Sequence, residues 1–104
     1  MPKGKSNPSG SYFGIALIKL MEAQGESLTT LARKTGLTPP YISKLRNDHT
    51  NPRQRMRERL AAGLGIPEAY FLIVQAIEKE PEKFKNENAR EFLGHRLYDR
   101  LYRS

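Results

Sequence analysis

The chain has no cysteine, which removes both a disulfide framework and a thiolate metal site and leaves the redox compartment unmarked. Its two histidines, His49 and His95, stand isolated, no carboxylate pair is placed with a nucleophile, and no glycine loop of the phosphate-cradling kind occurs. The expectation is a chain that is not an enzyme and uses no metal or cofactor. Long apolar runs are missing as well: the longest stretch, Tyr70 to Val74, is far below the ~20 residues of a membrane span, and the N-terminus lacks the apolar core of a signal peptide. A soluble, cytoplasmic protein with no membrane partner is expected. There is no internal repeat and no strand-like alternation, which points to an all-α fold.

Positive charge is plentiful. Eighteen Lys and Arg against 11 Asp and Glu leave a formal net charge of +7 and a pI near 9.9. Such a balance favours polyanionic partners, nucleic acid first and an anionic membrane surface second. At 104 residues the chain makes one small domain with appendages and a modest core, to which extra helices or a partner chain would add.

Residues 1 to 11 are rich in Pro, Gly and Ser, carry Lys3 and Lys5, and have no apolar side chain beyond Met1, so they read as a flexible basic arm. Such an arm is either a tail without consequence or one that follows a phosphate backbone or enters a minor groove. From Phe13 the pattern changes. Phe13, Leu17, Leu20 and Met21 recur at helical spacing before a stop at Gly25, and Ser27 then caps a two-turn helix built on Leu28, Leu31, Ala32 and Thr35 that Gly36 ends. Thr38 can cap a third helix, whose first turn tolerates Pro39 and Pro40 because its backbone N–H groups have no intrahelical partner, with Ile42 and Leu45 facing inward. After the polar turn Asn47 to Pro52, a fourth helix carries Met56, Leu60 and Leu64 on one face, until Gly63, Gly65 and Pro67 close it. Glu68 to Lys79 makes a fifth helix with apolar side chains all round, so more than one of its faces must be covered. Beyond Pro81, Phe92, Leu93, Leu97 and Leu101 form the stripe of a sixth helix, flanked by arginines.

The informative segment is Ser27 to Asn47. A short helix ends in Gly36, a tight turn follows, and a second short helix presents polar positions, with Ala32 where a larger side chain would hold the two helices apart. The run Ser-Leu-Thr-Thr-Leu-Ala-Arg-Lys-Thr-Gly-Leu-Thr-Pro-Pro-Tyr-Ile-Ser-Lys-Leu-Arg-Asn resembles the Cro/CI, or XRE, family of lambda-repressor-like helix-turn-helix proteins. The resemblance extends to Asn51-Pro52, to Leu60 through Pro67, and to Tyr70-Phe71, about sixty residues in all. It implies a five-helix DNA-binding domain over residues 12–72, followed by a helical extension over 73–104.

The resemblance also implies site residues, because the second helix of the motif lies in the major groove with its N-terminal side chains at base edges. The base-facing positions are then Pro39, Pro40, Tyr41, Ser43, Lys44 and Asn47 within a recognition helix at residues 38–47. Lys44 can donate to guanine, Asn47 can read adenine or hold a phosphate, and Ser43 can serve base edge or backbone. The prolines offer only shape and apolar contact, a departure from a densely hydrogen-bonded readout. Phosphate contacts are expected from Thr38 and Tyr41, from Thr29 and Thr30, from His49 and Asn51, and from Arg53 and Arg55. Thr38 serves equally as a plain helix cap, and Arg55, Arg57 and Arg59 as a solvated helix face. Where the family often pairs Arg with Glu between its first and recognition helices, the matching positions here are Met21 and Arg46. Arg46 is left to meet Glu22 or Asp48, or to turn toward DNA.

Family members usually bind two half-sites as two-fold dimers, which implies a dimerisation device in the extension. The candidates are Leu93, Leu97 and Leu101 and the apolar surface from Tyr70 to Val74, with Phe84, Phe92, Tyr98 and Tyr102 adding area; the sixth helix could instead fold back on its own domain. The expected function is a nucleoid-associated, sequence-specific transcriptional regulator of double-stranded DNA, a repressor acting as a homodimer. The alternatives are an architectural DNA binder of low sequence preference and an antitoxin-like regulator whose C-terminal helices hold a partner protein.

Overall fold

Apolar side chains at three- and four-residue intervals begin at Phe13, and so does the first helix, α1 (Phe13–Ala23). The computed structural model describes residues 12–47 and 51–102, whose regular structure is eight helices and no strand. After α1 come α2 (Leu28–Thr35), α3 (Pro39–Asn47), α4 (Gln54–Leu64), α5 (Ala69–Lys79), α6 (Pro81–Phe84), α7 (Glu87–Leu93) and α8 (His95–Tyr102). The expected N-terminal arm, Asp48 and His49 lie outside the described residues. Among the described residues no single helix is long and apolar enough to cross a membrane.

The core is built around α1. Its Phe13, Ala16, Leu17, Leu20 and Met21 are buried, with α3, α5 and α8 packed around them. Phe13 and Phe71 meet with ring centroids 4.8 Å apart, tying the start of α1 to α5. Leu31, Ile42, Leu60, Leu64, Val74 and Ile77 complete a single cluster that Ala89, Leu93 and Leu97 join from the far end of the chain. The helical extension therefore shares the core of the first five helices, and α5 runs unbroken through residue 72, where the two parts were expected to divide.

Two expectations are corrected. The sixth helix is three helices, because the chain leaves helical geometry at Lys85 and again at Gly94, where φ is 91°. That break turns Leu93 and Leu97 into the chain's own core, leaves Leu101 half-buried, and leaves Phe92 outside. Leu93 and Leu97, buried this way, present almost no area to a second chain. The second correction is Gly63, which lies within α4 rather than ending it: a β-carbon there would come within 2.7 Å of Thr35 Cγ2 and 2.9 Å of Leu31 Cδ1, so its small size lets α4 lie against α2. Gly65, in the left-handed region, supplies the stop.

The end of the chain closes over α1. Arg100 Nη1 donates to the Ala23 carbonyl at 3.1 Å, and Lys19 bridges to Glu78 at 3.7 Å beside the Tyr102 ring. Burial first, and then the Glu78 carboxylate, push the Tyr102 phenol above its ordinary value of 10.

Gly14 sets the closest crossing. A β-carbon there would collide with the Arg46 carbonyl oxygen and lie 3.0 Å from the Arg46 carbonyl carbon and 3.1 Å from the Leu45 oxygen, all of them backbone of α3. Replacing a helical glycine by alanine ordinarily gains up to ~1 kcal/mol in propensity. Here Gly14→Ala is expected to lower unfolding stability by about 2 kcal/mol, since two helices must separate to admit the methyl. Urea unfolding followed by far-UV circular dichroism decides the sign, and an unchanged or raised midpoint contradicts so close a crossing.

Candidate nucleic-acid interface

The helix pair α2 and α3 is assembled by short-range hydrogen bonds that the local sequence supplies. Ser27 Oγ accepts from the Thr30 N–H at 3.1 Å and opens α2. At the other end Gly36 takes φ 75°, and its N–H donates to the Ala32 carbonyl at 2.9 Å; a β-carbon is disfavoured in that conformation. Thr35, buried among the helices, satisfies its hydroxyl by donating to the Leu31 carbonyl at 2.8 Å, and the Leu37 N–H donates to Thr35 Oγ1 at 3.3 Å. Thr38 Oγ1 then accepts from the Tyr41 N–H at 3.3 Å, so the threonine caps α3.

This turn fixes which side of α3 is buried. Ile42 and Leu45 enter the core, while Pro39, Pro40, Tyr41, Lys44 and Asn47 are exposed and Ser43 is half-buried. Pro40, Lys44 and Asn47 fall at i, i+4 and i+7 and so form one outward row. All six expected base-facing residues thus belong to the accessible part of one helix.

The expected phosphate contacts collect at the N-termini of three helices. Thr29 and Thr30 occupy the first turn of α2, with Thr30 Oγ1 2.6 Å from Ser27 Oγ; Thr38 opens α3; and Arg53, the N-cap of α4, and Arg55 are exposed, as is Asn51 just before them. Helix N-termini carry partial positive charge and unpaired N–H groups, which suits anions. Leu31 lies against Gly63 while the Thr35 carbonyl meets Arg59, so α2 and α4 run antiparallel. Arg55 stands one turn before Arg59 on α4, and Thr29 and Thr30 lie ~10 Å along the axis of α2 from its Gly36 end. His49, expected in this group, lies outside the described residues.

Two arginines that the sequence pattern placed on a solvated face turn out to be fastened. Arg59 Nε donates to the Thr35 carbonyl at 2.7 Å, beside Gly36. Arg57 Nη1 donates to the Pro52 carbonyl at 2.6 Å, and its Nε bonds to Glu68 at 2.8 Å, which ties the entry of α4 to the start of α5. The usable sequence signal was spacing, because Arg59 stands four residues before Gly63 and so on the same face of α4. Arg46 makes no ion pair with Glu22 among the described residues, and its Nε is buried without a hydrogen-bond partner. Charge is unevenly spread along the chain: residues 1–72 hold eleven Lys and Arg against five Asp and Glu, a net of +6, and residues 73–104 hold seven against six, a net of +1.

A short capped helix, a glycine turn and a second helix with one apolar and one polar side define a helix-turn-helix. The chain belongs to the helix-turn-helix family, whose model matches residues 17–71, more than half of its length. The matched family is of the XRE, lambda-repressor-like type, and the protein is a DNA-binding transcription regulator of that type. No curated protein and no solved structure gave a match.

The Arg59 contact yields a stability prediction. Arg59→Ala removes the partner of a carbonyl at the C-terminus of α2 and is expected to cost about 1–2 kcal/mol in thermal or chemical unfolding. Arg55→Ala, at an exposed position, should change stability by no more than ~0.5 kcal/mol. Equal effects for the two would contradict the role given to Arg59.

Proposed function

We propose that this protein is a sequence-specific repressor that binds DNA as a two-fold dimer, with residues 38–47 as the recognition helix in the major groove. The observation that carries this reading is the division of α3: Ile42 and Leu45 hold the helix in the core, and the opposite side offers Lys44, Asn47, Ser43 and Tyr41 with no apolar cover. Lys44 is the leading base contact, since an ammonium can donate to guanine O6 or N7 and its side chain makes no ion pair among the described residues. Thr29 and Thr30 in the first turn of α2, Thr38 after its other end, and the exposed Arg53 and Arg55 at the start of α4 suit phosphates beside a groove ~12 Å wide. The net +6 of residues 1–72 adds a sequence-independent attraction.

A second reading is an architectural DNA binder, favoured by the exposed Pro39 and Pro40, whose side chains supply no hydrogen bond. Selection from a random duplex pool, followed by fluorescence anisotropy at several salt concentrations, separates the two. The repressor reading expects a two-fold symmetric site bound at least ~10³-fold tighter than random DNA. It further expects Lys44→Ala to cost about 1–3 kcal/mol on that site and to relax preference at one base position. Binding that is salt-sensitive yet indifferent to sequence establishes the architectural alternative.

Salt supplies a separate check. With ~6–10 phosphates neutralised per dimer, affinity should fall ~10³- to 10⁵-fold between 50 and 200 mM salt. Arg55→Ala should weaken all duplexes alike and reduce the slope of log affinity against log salt by about one for each phosphate it no longer neutralises. A slope unchanged by that substitution removes Arg55 from the interface.

A further inference from the structure

Five large apolar side chains are left exposed among the described residues: Ile15 on α1 and Tyr41 on α3 stand singly, and the other three belong to the consecutive helices α5, α6 and α7. Leu72 on α5 is 54% exposed, Phe92 on α7 is 50% exposed, and Phe84 at the end of α6 is 36% exposed. Phe84 and Phe92 edge an open groove of about 460 Å³ whose floor includes Ile73, Ala76 and Ala89. Tyr70 packs on Phe92 with ring centroids 5.8 Å apart and extends the same surface. Protruding rings beside an apolar recess form a surface that can fit itself, as an isologous contact requires. Apolar surface of this kind is commonly an interaction site.

The charges on the helices that form the groove, of which Lys83 lines it, indicate what covers it. Lys79, Glu80, Glu82, Lys83, Glu87 and Glu91 are all exposed, of both signs, and without an ion pair inside the chain among the described residues. This rim suits neither a polyanion nor a strongly acidic or basic partner. Two copies meeting across a two-fold axis can set lysines of one against glutamates of the other. The groove is also remote from the recognition helix: α3 packs on α1, α1 packs on α5, and α6 and α7 lie on α5. A contact here leaves both copies of α3 free.

We infer that the groove between α5, α6 and α7, with Phe84 and Phe92 at its edge and the exposed Leu72 next in the chain to the lining Ile73, is the homodimer interface of this protein. The inference rests on the dimer proposed above and names the surface that forms it. It assigns dimerisation to side chains the fold leaves outside, in place of the buried Leu93 and Leu97.

Sedimentation equilibrium of the full chain at micromolar concentrations, free and with a selected duplex, tests it. The parent should sediment at twice the chain mass. Phe92→Glu and Leu72→Glu should each raise the dimer dissociation constant at least ~30-fold, the range of a central contact. Both positions are exposed, so far-UV circular dichroism and the unfolding midpoint should stay at parent values. In the cysteine-free background, a spin label at Asn88→Cys, on the groove lining, should show a short interchain distance, and one at Arg33→Cys on α2 a longer one. A dimer of undiminished affinity in both glutamate variants overturns this surface while leaving the proposed dimer intact. A parent that stays monomeric in solution and on DNA overturns the proposed dimer and this surface together.

Discussion

Burial of α1 is the constraint on which the other elements depend. Five apolar side chains of this eleven-residue helix are at most 3% exposed, and helices from three different parts of the chain cover them: α3 of the helix-turn-helix, α5 beyond it, and α8 at the end. Two of these contacts leave no tolerance for bulk or for polar mismatch. Gly14 admits the α3 backbone, and Phe13 stacks against Phe71. Because α1 touches α3 directly, repacking on the α5 or α8 side is transmitted to α3 through one shared element, as expected of an interior packed at crystal density.

The helix-turn-helix is held at a second level by polar atoms. Ser27, Thr35, Gly36 and Thr38 satisfy or terminate backbone groups locally, so α2 and α3 take their relative direction from a few residues of adjacent sequence. Arg59 then braces that unit from α4 at the end of α2, while Arg57 ties the α4 entry to the start of α5. The side chains left free on α3 and at the α4 entry are consequently presented on a braced frame, and less backbone freedom remains to be lost on meeting a ligand.

Charge and apolar surface are sorted to different regions. The positive excess lies in residues 1–72, whereas the exposed phenylalanines, Phe84 and Phe92, lie on α6 and α7, where the charges nearly cancel. A molecule with one face for a polyanion and another for a near-neutral partner can engage both at once, because neither contact opposes the other electrostatically.

The sequence by itself determined the elements up to α5, the caps at Ser27 and Thr38, the left-handed turn at Gly36 and the apolar side of α3, because each rests on contacts within about four residues or on a period of 3.6. The same local patterns made the family resemblance legible, and the family match bears it out. Only the tertiary structure decided what distant residues do to one another. The spacing of Phe92, Leu93, Leu97 and Leu101 suits one amphipathic helix, yet Gly94 divides it and the core claims Leu93 and Leu97, since hydrophobic periodicity reports that a side chain wants cover and not which surface provides it. Gly63 read as a stop and Arg59 as a solvated charge for a related reason: the glycine's small size and the arginine's hydrogen bond matter only against α2, more than twenty residues earlier in the chain, and composition carries no record of that approach.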